Sequence, residues 1–239
     1  MSDITVTMFW IVGRGTMIKL NLQLFGGRGA GGPSLTKGGG KSINIQSETD
    51  VWSYRHNPNN EPFVDAINSG VREISDDFPG LMDDVREVNS AKLGGKDKTE
   101  TLGFYGNGRV ALNENYTDIG KMNRVYDEAV KSGYHPSRGN KTGTEAVALH
   151  EMGHALTDHV AKKMGAKDID DGAKKIVDSA YKATGGKGSA KKSWAGKISG
   201  YATENYAECV AEAVADCYCN GKKASKNSQA IMAELKKYK

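Results

Sequence analysis

The sequence predicts an α+β domain that is mostly helical, carries a small upstream β-sheet and follows a flexible glycine-rich arm. Three observations lead to this fold class. Apolar side chains recur at helical spacing through most of the chain after the glycine-rich segment. A Gly-Asn-Gly turn at residues 106–108 lies between two short apolar segments. Residues 26–40 contain eight glycines in fifteen positions and cannot bury apolar surface.

The glycine-rich segment sets the predicted domain boundary. We expect residues 1–41 to form a flexible arm and residues 42–239 to form one globular unit, a size that suits a single domain. Within the arm, residues 17–25 alternate apolar and polar side chains, which is typical of a strand that pairs with the sheet edge of another protein. An unpaired arm is the alternative interpretation.

The composition excludes several classes of protein. The 239 residues are 38% hydrophobic and 26% charged, which is the range of ordinary globular domains. No apolar run approaches the roughly 18 residues that cross a bilayer, and the first residues lack the basic start of a signal peptide. Three cysteines cannot all pair within one chain, so a disulfide framework is not expected. We therefore expect a cytoplasmic protein without a membrane partner.

The globular unit divides into helices and one hairpin. Apolar residues from Phe63 to Phe78 recur at helical spacing, and Pro79-Gly80 ends that helix. The turn at residues 106–108 joins two short strands, the second of which covers residues 109–113. Further helices are predicted over residues 122–132, 143–164, 169–183 and 203–219, and a loop is predicted over residues 184–200.

The motif that carries chemistry is His150-Glu151-Met152-Gly153-His154, inside the predicted helix 143–164. Residues four apart on a helix point within about 40° of each other and lie about 6 Å apart along its axis. Two imidazoles at this spacing can bind one metal ion, and Glu151 can then meet a water molecule beside it. A general base for metal-assisted hydrolysis needs this arrangement; two surface histidines with no metal are the alternative.

A catalytic zinc ion needs a third protein ligand. His159 lies nine residues after His150, on the opposite side of the helix, and cannot reach the same ion. Glu204, Glu208 and Glu212 repeat every four residues and form an acidic stripe on a helix that is otherwise rich in alanine and valine. Because buried carboxylates need a cation or hydrogen-bond donors, this stripe supplies the candidates for the third ligand.

The two motifs together resemble zinc metallopeptidases of the zincin superfamily that have a glutamate third ligand. The resemblance is closest to the peptidase domain of anthrax lethal factor and to related phage-encoded proteins. It covers residues 144–164 and 198–216, where Tyr201, Glu208 and Glu212 follow the HExxH motif at the spacing of that family. A looser likeness of residues 110–113 to the family's edge strand implies that an extended peptide substrate pairs there.

The resemblance implies a zincin-like fold and a zinc-dependent endopeptidase. The zinc ligands that it implies are His150, His154 and Glu208. It also implies that Glu151 is the general base, that Glu212 orients a ligand histidine and that Tyr201 stabilises the oxyanion of the tetrahedral intermediate. Zn²⁺ is the implied cofactor, and a peptide or protein is the implied substrate.

Three alternatives stay open. Residues 17–29 also resemble the start of tailed-phage head and portal-associated proteins. The chain could therefore be a non-catalytic, virion-associated protein that docks onto capsid or portal proteins through residues 17–25 and uses the zincin fold as a scaffold. Residues 162–199 contain ten Lys and four Asp, which could attract nucleic acid, although a solvated helix face followed by a Lys/Gly-rich loop is the favoured interpretation. Cys209, Cys217 and Cys219 could form a structural zinc site, but Cys217 and Cys219 point apart on a helix.

Overall fold

The computed structural model describes residues 61–91, 93, 101–188 and 190–239. The predicted arm at residues 1–41, including residues 17–25, and the first residues of the predicted domain lie outside this part of the chain. The described residues form a mostly helical fold with a three-stranded sheet, which confirms the predicted α+β class.

Eight helices and three strands follow one another along the described residues. They are α1 Glu61–Asp77, α2 Leu81–Asp84, β1 Glu87–Ala91, β2 Gly103–Gly106, β3 Arg109–Asn113, α3 Ile119–Lys131, α4 Gly143–Lys163, α5 Ile169–Ala183, α6 Lys191–Ala195, α7 Tyr206–Asn220 and α8 Lys226–Leu235. A 3₁₀ turn at Tyr201–Thr203 precedes α7. The helices predicted over residues 63–78, 122–132, 143–164 and 169–183 are all present, with ends within three residues of the prediction.

The sheet contains the predicted hairpin and one strand that was not predicted. Asn107 and Gly108 have φ angles of 52° and 74°, as a tight two-residue turn requires, and they join the antiparallel strands β2 and β3. β1 pairs in parallel with the other side of β3. The expectation that residues 110–113 form an edge strand is therefore wrong, because β3 is the central strand and β2 is an edge strand of the described sheet.

Two other predictions are corrected near the C-terminus. The predicted loop at residues 184–200 contains the short helix α6, which buries Trp194 and holds it by a 2.8 Å hydrogen bond from its indole to Thr184. Helix α7 begins at Tyr206 rather than residue 203, because the Asn205 side chain accepts a hydrogen bond from Glu208 N and caps the helix. Glu204 is therefore exposed and lies before α7, so the predicted stripe of three glutamates is reduced to two.

Helix α4 runs through the middle of the core. Nearly all of its residues from Gly143 to Ala161 are buried, and it packs against α1, α3, α5, α7 and the sheet. Polar side chains on a helix that is buried on every side have little contact with solvent and are held in position by their neighbours. In the described part of the chain, no helix is long and apolar enough to cross a membrane.

Candidate metal centre

The first turn of α4 is held by reciprocal capping bonds. Thr142 Oγ1 accepts a hydrogen bond from Glu145 N, and the Glu145 carboxylate accepts one from Thr142 N at 2.7 Å. Within this helix His150 and His154 lie one turn apart, with ring centroids separated by 4.9 Å. Both histidines are at least nine-tenths buried, so their ring nitrogens must find partners inside the protein.

Helix α7 approaches α4 closely at the glycine of the HExxH motif. A Cβ atom on Gly153 would lie 2.9 Å from Ala211 Cα and 3.2 Å from Val214 Cβ, which is closer than carbon atoms pack. Only glycine permits this approach. Glu208 lies one turn before Ala211 on α7, so the contact brings its side chain to the two histidines.

The three side chains converge on one point. Glu208 Oε2 lies 3.2 Å from His150 Nε2 and 3.2 Å from His154 Nε2, and the three candidate ligand atoms all lie within 4.8 Å of one another. Ligands bound tetrahedrally at about 2.0–2.1 Å are separated by about 3.3 Å. Glu208 Oε2 is buried and has no hydrogen bond. A metal ion would satisfy that atom, so the group is fit to bind one.

The charges in this cluster favour a cation. Burial alone would raise the pKa of Glu208, but the neighbouring His154 and His150 hold it well below its usual value. Burial would lower the pKa of His150, yet Glu208 and Glu212 together raise it well above its usual value. The carboxylate therefore stays ionised inside the core, where it requires positive charge nearby.

The Glu151 carboxyl group lies beneath the edge strand β2. A Cβ atom on Gly103 would lie 2.5 Å from Glu151 Oε1 and 2.7 Å from its Cγ, so glycine at this position makes room for the acid. Glu151 is 3% exposed, and burial raises its pKa. A small cavity beside His150 is lined by Glu151, Gly103, Val147 and Glu212, among others.

Glu212 lies near the Nδ1 atom of the His150 ring, whereas Glu208 lies near its Nε2 atom. The Glu212 Oε1 atom lies 2.8 Å from His150 Nδ1, an ion-pair distance, although the angles of this contact fall outside hydrogen-bond geometry. Its Oε2 atom accepts a 2.6 Å hydrogen bond from the Ser199 hydroxyl, and its Oε1 atom accepts one from His135 Nδ1 at 3.0 Å. Although burial opposes ionisation, His135 and His150 lower the pKa of Glu212 to about 2.

Tyr201 packs directly on the first histidine. Its ring stacks on that of His150 with centroids 5.7 Å apart, and a second stacking contact joins it to Tyr134. The side chain is 2% exposed, and burial followed by the charge of Glu208 raises its pKa well above the usual value. The phenol therefore keeps its proton near neutral pH and can act as a hydrogen-bond donor.

The edge strand β2 also contacts the second histidine. The Tyr105 ring stacks on His154 with centroids 6.4 Å apart, and its hydroxyl donates a 2.9 Å hydrogen bond to Asp158. In the β2–β3 hairpin, Asn113 N donates a hydrogen bond to Leu102 O. Because hydrogen-bonded and non-hydrogen-bonded positions alternate along an antiparallel pair, the backbone N–H and C=O groups of Gly103 and Tyr105 point away from β3. No strand pairs with that side within the described residues.

The remaining candidate residues lie elsewhere. His159 is on the far side of α4, as predicted, and its Nδ1 lies 2.6 Å from Asp84 Oδ2. Cys209, Cys217 and Cys219 are free thiols, and none of them belongs to the metal-binding group found among the described residues.

No family model, curated protein or solved structure matches this chain.

Sequence patterns did not indicate three residues of the site: His135, Ser199 and Gly103. Each lies in a loop or an edge strand, and its partner lies on a different element, so no periodicity relates them. His135-Pro136, after the predicted end of a helix, was the one available signal, because histidines are few in this chain. Its partner on α7 becomes evident only in three dimensions.

Proposed function

We propose that this chain is a zinc-dependent endopeptidase with a zincin-like active site, encoded by a phage or prophage. The observation that carries the proposal is the buried Glu208 Oε2 atom, which lies 3.2 Å from the Nε2 atoms of His150 and His154 and has no hydrogen bond. Imidazole nitrogens with a carboxylate oxygen are a ligand set that suits zinc.

The surroundings of the group favour catalysis over a structural role for the metal. Structural zinc sites close with four protein ligands, whereas catalytic sites use three and leave one position for water or substrate. The group found among the described residues has three members. Glu151 lies beside it, buried and with a raised pKa, which is the condition of a general base that works near neutral pH.

The residues have the following roles in this proposal. Zinc bound by the group would polarise a carbonyl and lower the pKa of a water molecule toward about 7. Glu151 accepts the proton of the attacking water and passes it to the leaving amine. The Tyr201 hydroxyl, kept protonated by burial, donates a hydrogen bond to the oxyanion of the tetrahedral intermediate.

The substrate of the proposed enzyme is an extended peptide that pairs with β2. The outward backbone groups of Gly103 and Tyr105 offer N–H donors and C=O acceptors along an edge with which no strand pairs in the described part of the chain. Gly103 lies against Glu151 and the Tyr105 ring lies against His154, so a peptide on this edge passes the candidate metal-binding group. Strand β2 takes the place of residues 110–113, which the resemblance implied as the substrate-pairing strand.

Metal analysis of the purified full chain tests the site. We expect close to one zinc per chain in the wild type and loss of zinc in His150→Ala and Glu208→Ala. Glu204→Gln is the matched control, because Glu204 is a nearby glutamate that is exposed and lies outside α7. Retention of zinc by both ligand variants would exclude this site.

Chelator-sensitive cleavage of a denatured protein mixture, read by mass spectrometry of new termini, tests catalysis. Glu151→Gln should retain zinc and lose cleavage, because the amide cannot accept the proton of the water. Unchanged cleavage by this variant would remove Glu151 from the mechanism. Stoichiometric zinc with no cleavage by the wild type, including of co-expressed phage head proteins, would instead favour the non-catalytic scaffold.

A further inference from the structure

His135 is a buried imidazole for which the proposed mechanism has no role. It lies in the loop that follows α3 and is 7% exposed. Its Nδ1 atom makes a 3.0 Å hydrogen bond with Glu212 Oε1. An ionised carboxylate can only accept hydrogen bonds, so His135 Nδ1 carries a hydrogen atom and is the donor of this hydrogen bond to Glu212.

The Glu212 carboxylate that His135 contacts is also the group that faces His150. The same Oε1 atom lies 2.8 Å from His150 Nδ1, and Oε2 is held by the Ser199 hydroxyl. The contacts from His135 and Ser199 have good hydrogen-bond geometry, whereas the contact to His150 does not. His135 and Ser199 therefore set the position of the carboxylate, and the carboxylate then faces the ring of His150.

The loop that carries His135 is itself firmly anchored. Gly200 N donates to Gly133 O at 2.8 Å and Tyr201 N donates to Tyr134 O at 3.0 Å, so this loop pairs with the segment before α7. The His135 ring stacks on Tyr126 with centroids 5.3 Å apart and planes within 7°. These contacts leave the imidazole little freedom to turn away from Glu212.

We propose that His135 is a positioning residue of the metal centre: its Nδ1–H fixes Glu212 so that Glu212 can hold the metal ligand His150 in its binding orientation. This inference rests on the metal site of the proposed function. Polar groups that orient a metal-binding histidine contribute about 10- to 100-fold to metal affinity. His135 reaches His150 through Glu212, so its effect should appear in metal affinity even where no substrate is present.

The test compares zinc affinity, measured by competition with a chromophoric chelator, in the full chain and three variants. His135→Asn places an amide N–H near the position of Nδ1, whereas His135→Gln places it one carbon further out. His135→Phe keeps the aromatic contact with Tyr126 and removes the donor. We expect His135→Asn to bind zinc within about threefold of the wild type, and His135→Gln and His135→Phe to bind it about 10- to 100-fold more weakly.

Two outcomes would overturn the inference. Wild-type affinity in His135→Phe would show that only the ring matters, and equal affinity in His135→Asn and His135→Gln would show that the position of the donor does not. The second comparison decides the matter even if His135→Phe does not fold. His159→Gln is the matched control, because His159 is another buried histidine that pairs with a carboxylate, on the far side of α4, and its loss should leave zinc affinity unchanged. A wild type that binds no zinc would contradict the proposed function itself.

Discussion

The close approach of α4 and α7 at Gly153 gives the sharpest mutational test of the metal centre. In Gly153→Ala, the new Cβ atom would lie 2.9 Å from Ala211 Cα, whereas carbon atoms pack at about 3.5–4.0 Å. The helices must therefore separate by about 0.6 Å or more. Ligand distances in a zinc site tolerate only about 0.2 Å, so Glu208 would leave its position relative to the histidines.

The expected loss of affinity follows from the energy of overpacking. Inserting a methyl group into a well-packed core costs about 1–3 kcal/mol, and the protein without metal relieves this strain by moving α7 outward. Zinc binding must draw the helices together again and restore the strain. We therefore expect Gly153→Ala to bind zinc about 5- to 150-fold more weakly, measured by chelator competition.

Gly172→Ala is the matched control for this prediction. Gly172 on α5 also packs tightly against α4, where a new Cβ atom would collide with Ala161, but this contact lies away from the metal centre. Both substitutions gain the same helix propensity of about 1 kcal/mol. Wild-type zinc affinity in Gly153→Ala, or an equal loss of affinity in both variants, would show that the close approach of α4 and α7 at Gly153 does not position Glu208.

Three further predictions concern the base, the pH dependence and the stability of the fold. In Gly103→Ala, the new Cβ atom should displace the Glu151 carboxyl group by about 1 Å. Zinc content should stay unchanged, whereas chelator-sensitive cleavage should fall about 100-fold. Unchanged cleavage would contradict this position of the base. The bidentate contact from Arg138 lowers the pKa of Asp127 in the folded protein. The ionised carboxylate therefore stabilises the fold at any pH above its unfolded pKa of about 3.9. This stabilisation is lost as the pH falls through the lower pKa of the folded state. In urea unfolding, Asp127→Asn should therefore lower the free energy of unfolding by at most about 1 kcal/mol between pH 5 and 8, and the difference should vanish at lower pH. A difference that grows as the pH falls would contradict this prediction. Asp216 is buried and accepts three hydrogen bonds, which join the end of α7 to the start of α8. Asp216→Ala should therefore lower the free energy of unfolding by about 3 kcal/mol with zinc content unchanged. Loss of zinc would show that this junction and the metal centre are coupled.

The features that the sequence predicted are those set by local geometry. Helical periodicity gave the bounds of α1, α3, α4 and α5, and the need for positive φ at Asn107 and Gly108 gave the hairpin. The spacing of His150 and His154 is a property of any helix, so their shared face required no knowledge of the fold. The opposite position of His159 followed from the same geometry.

The features that it did not predict depend on distant parts of the chain. β1 pairs with β3 across about twenty residues, and its sequence Glu-Val-Asn-Ser-Ala lacks the alternation of a typical strand. The resemblance implied an edge strand at residues 110–113, and the pairing with β1 makes β3 central instead. Glu204 matched the period of the acidic stripe, but the Asn205 cap starts α7 after it.

The contact between His135 and Glu212 spans 77 residues and joins a loop to a helix. No pattern within either segment indicates the other, because the pairing depends on how the loop after α3 packs beside α7. Gly103 is a similar case: a glycine in a short strand is ordinary, and its importance comes from Glu151 beneath it.

X-ray absorption spectroscopy at the zinc edge of the zinc-loaded full chain reports directly on the ligands of the proposed metal centre. We expect nitrogen and oxygen ligands at about 2.0–2.1 Å, with outer scattering from two imidazole rings. Sulfur scattering at about 2.3 Å would place the ion on cysteines, and a spectrum without imidazole scattering would place it away from α4. Either result would contradict a metal centre built from His150, His154 and Glu208.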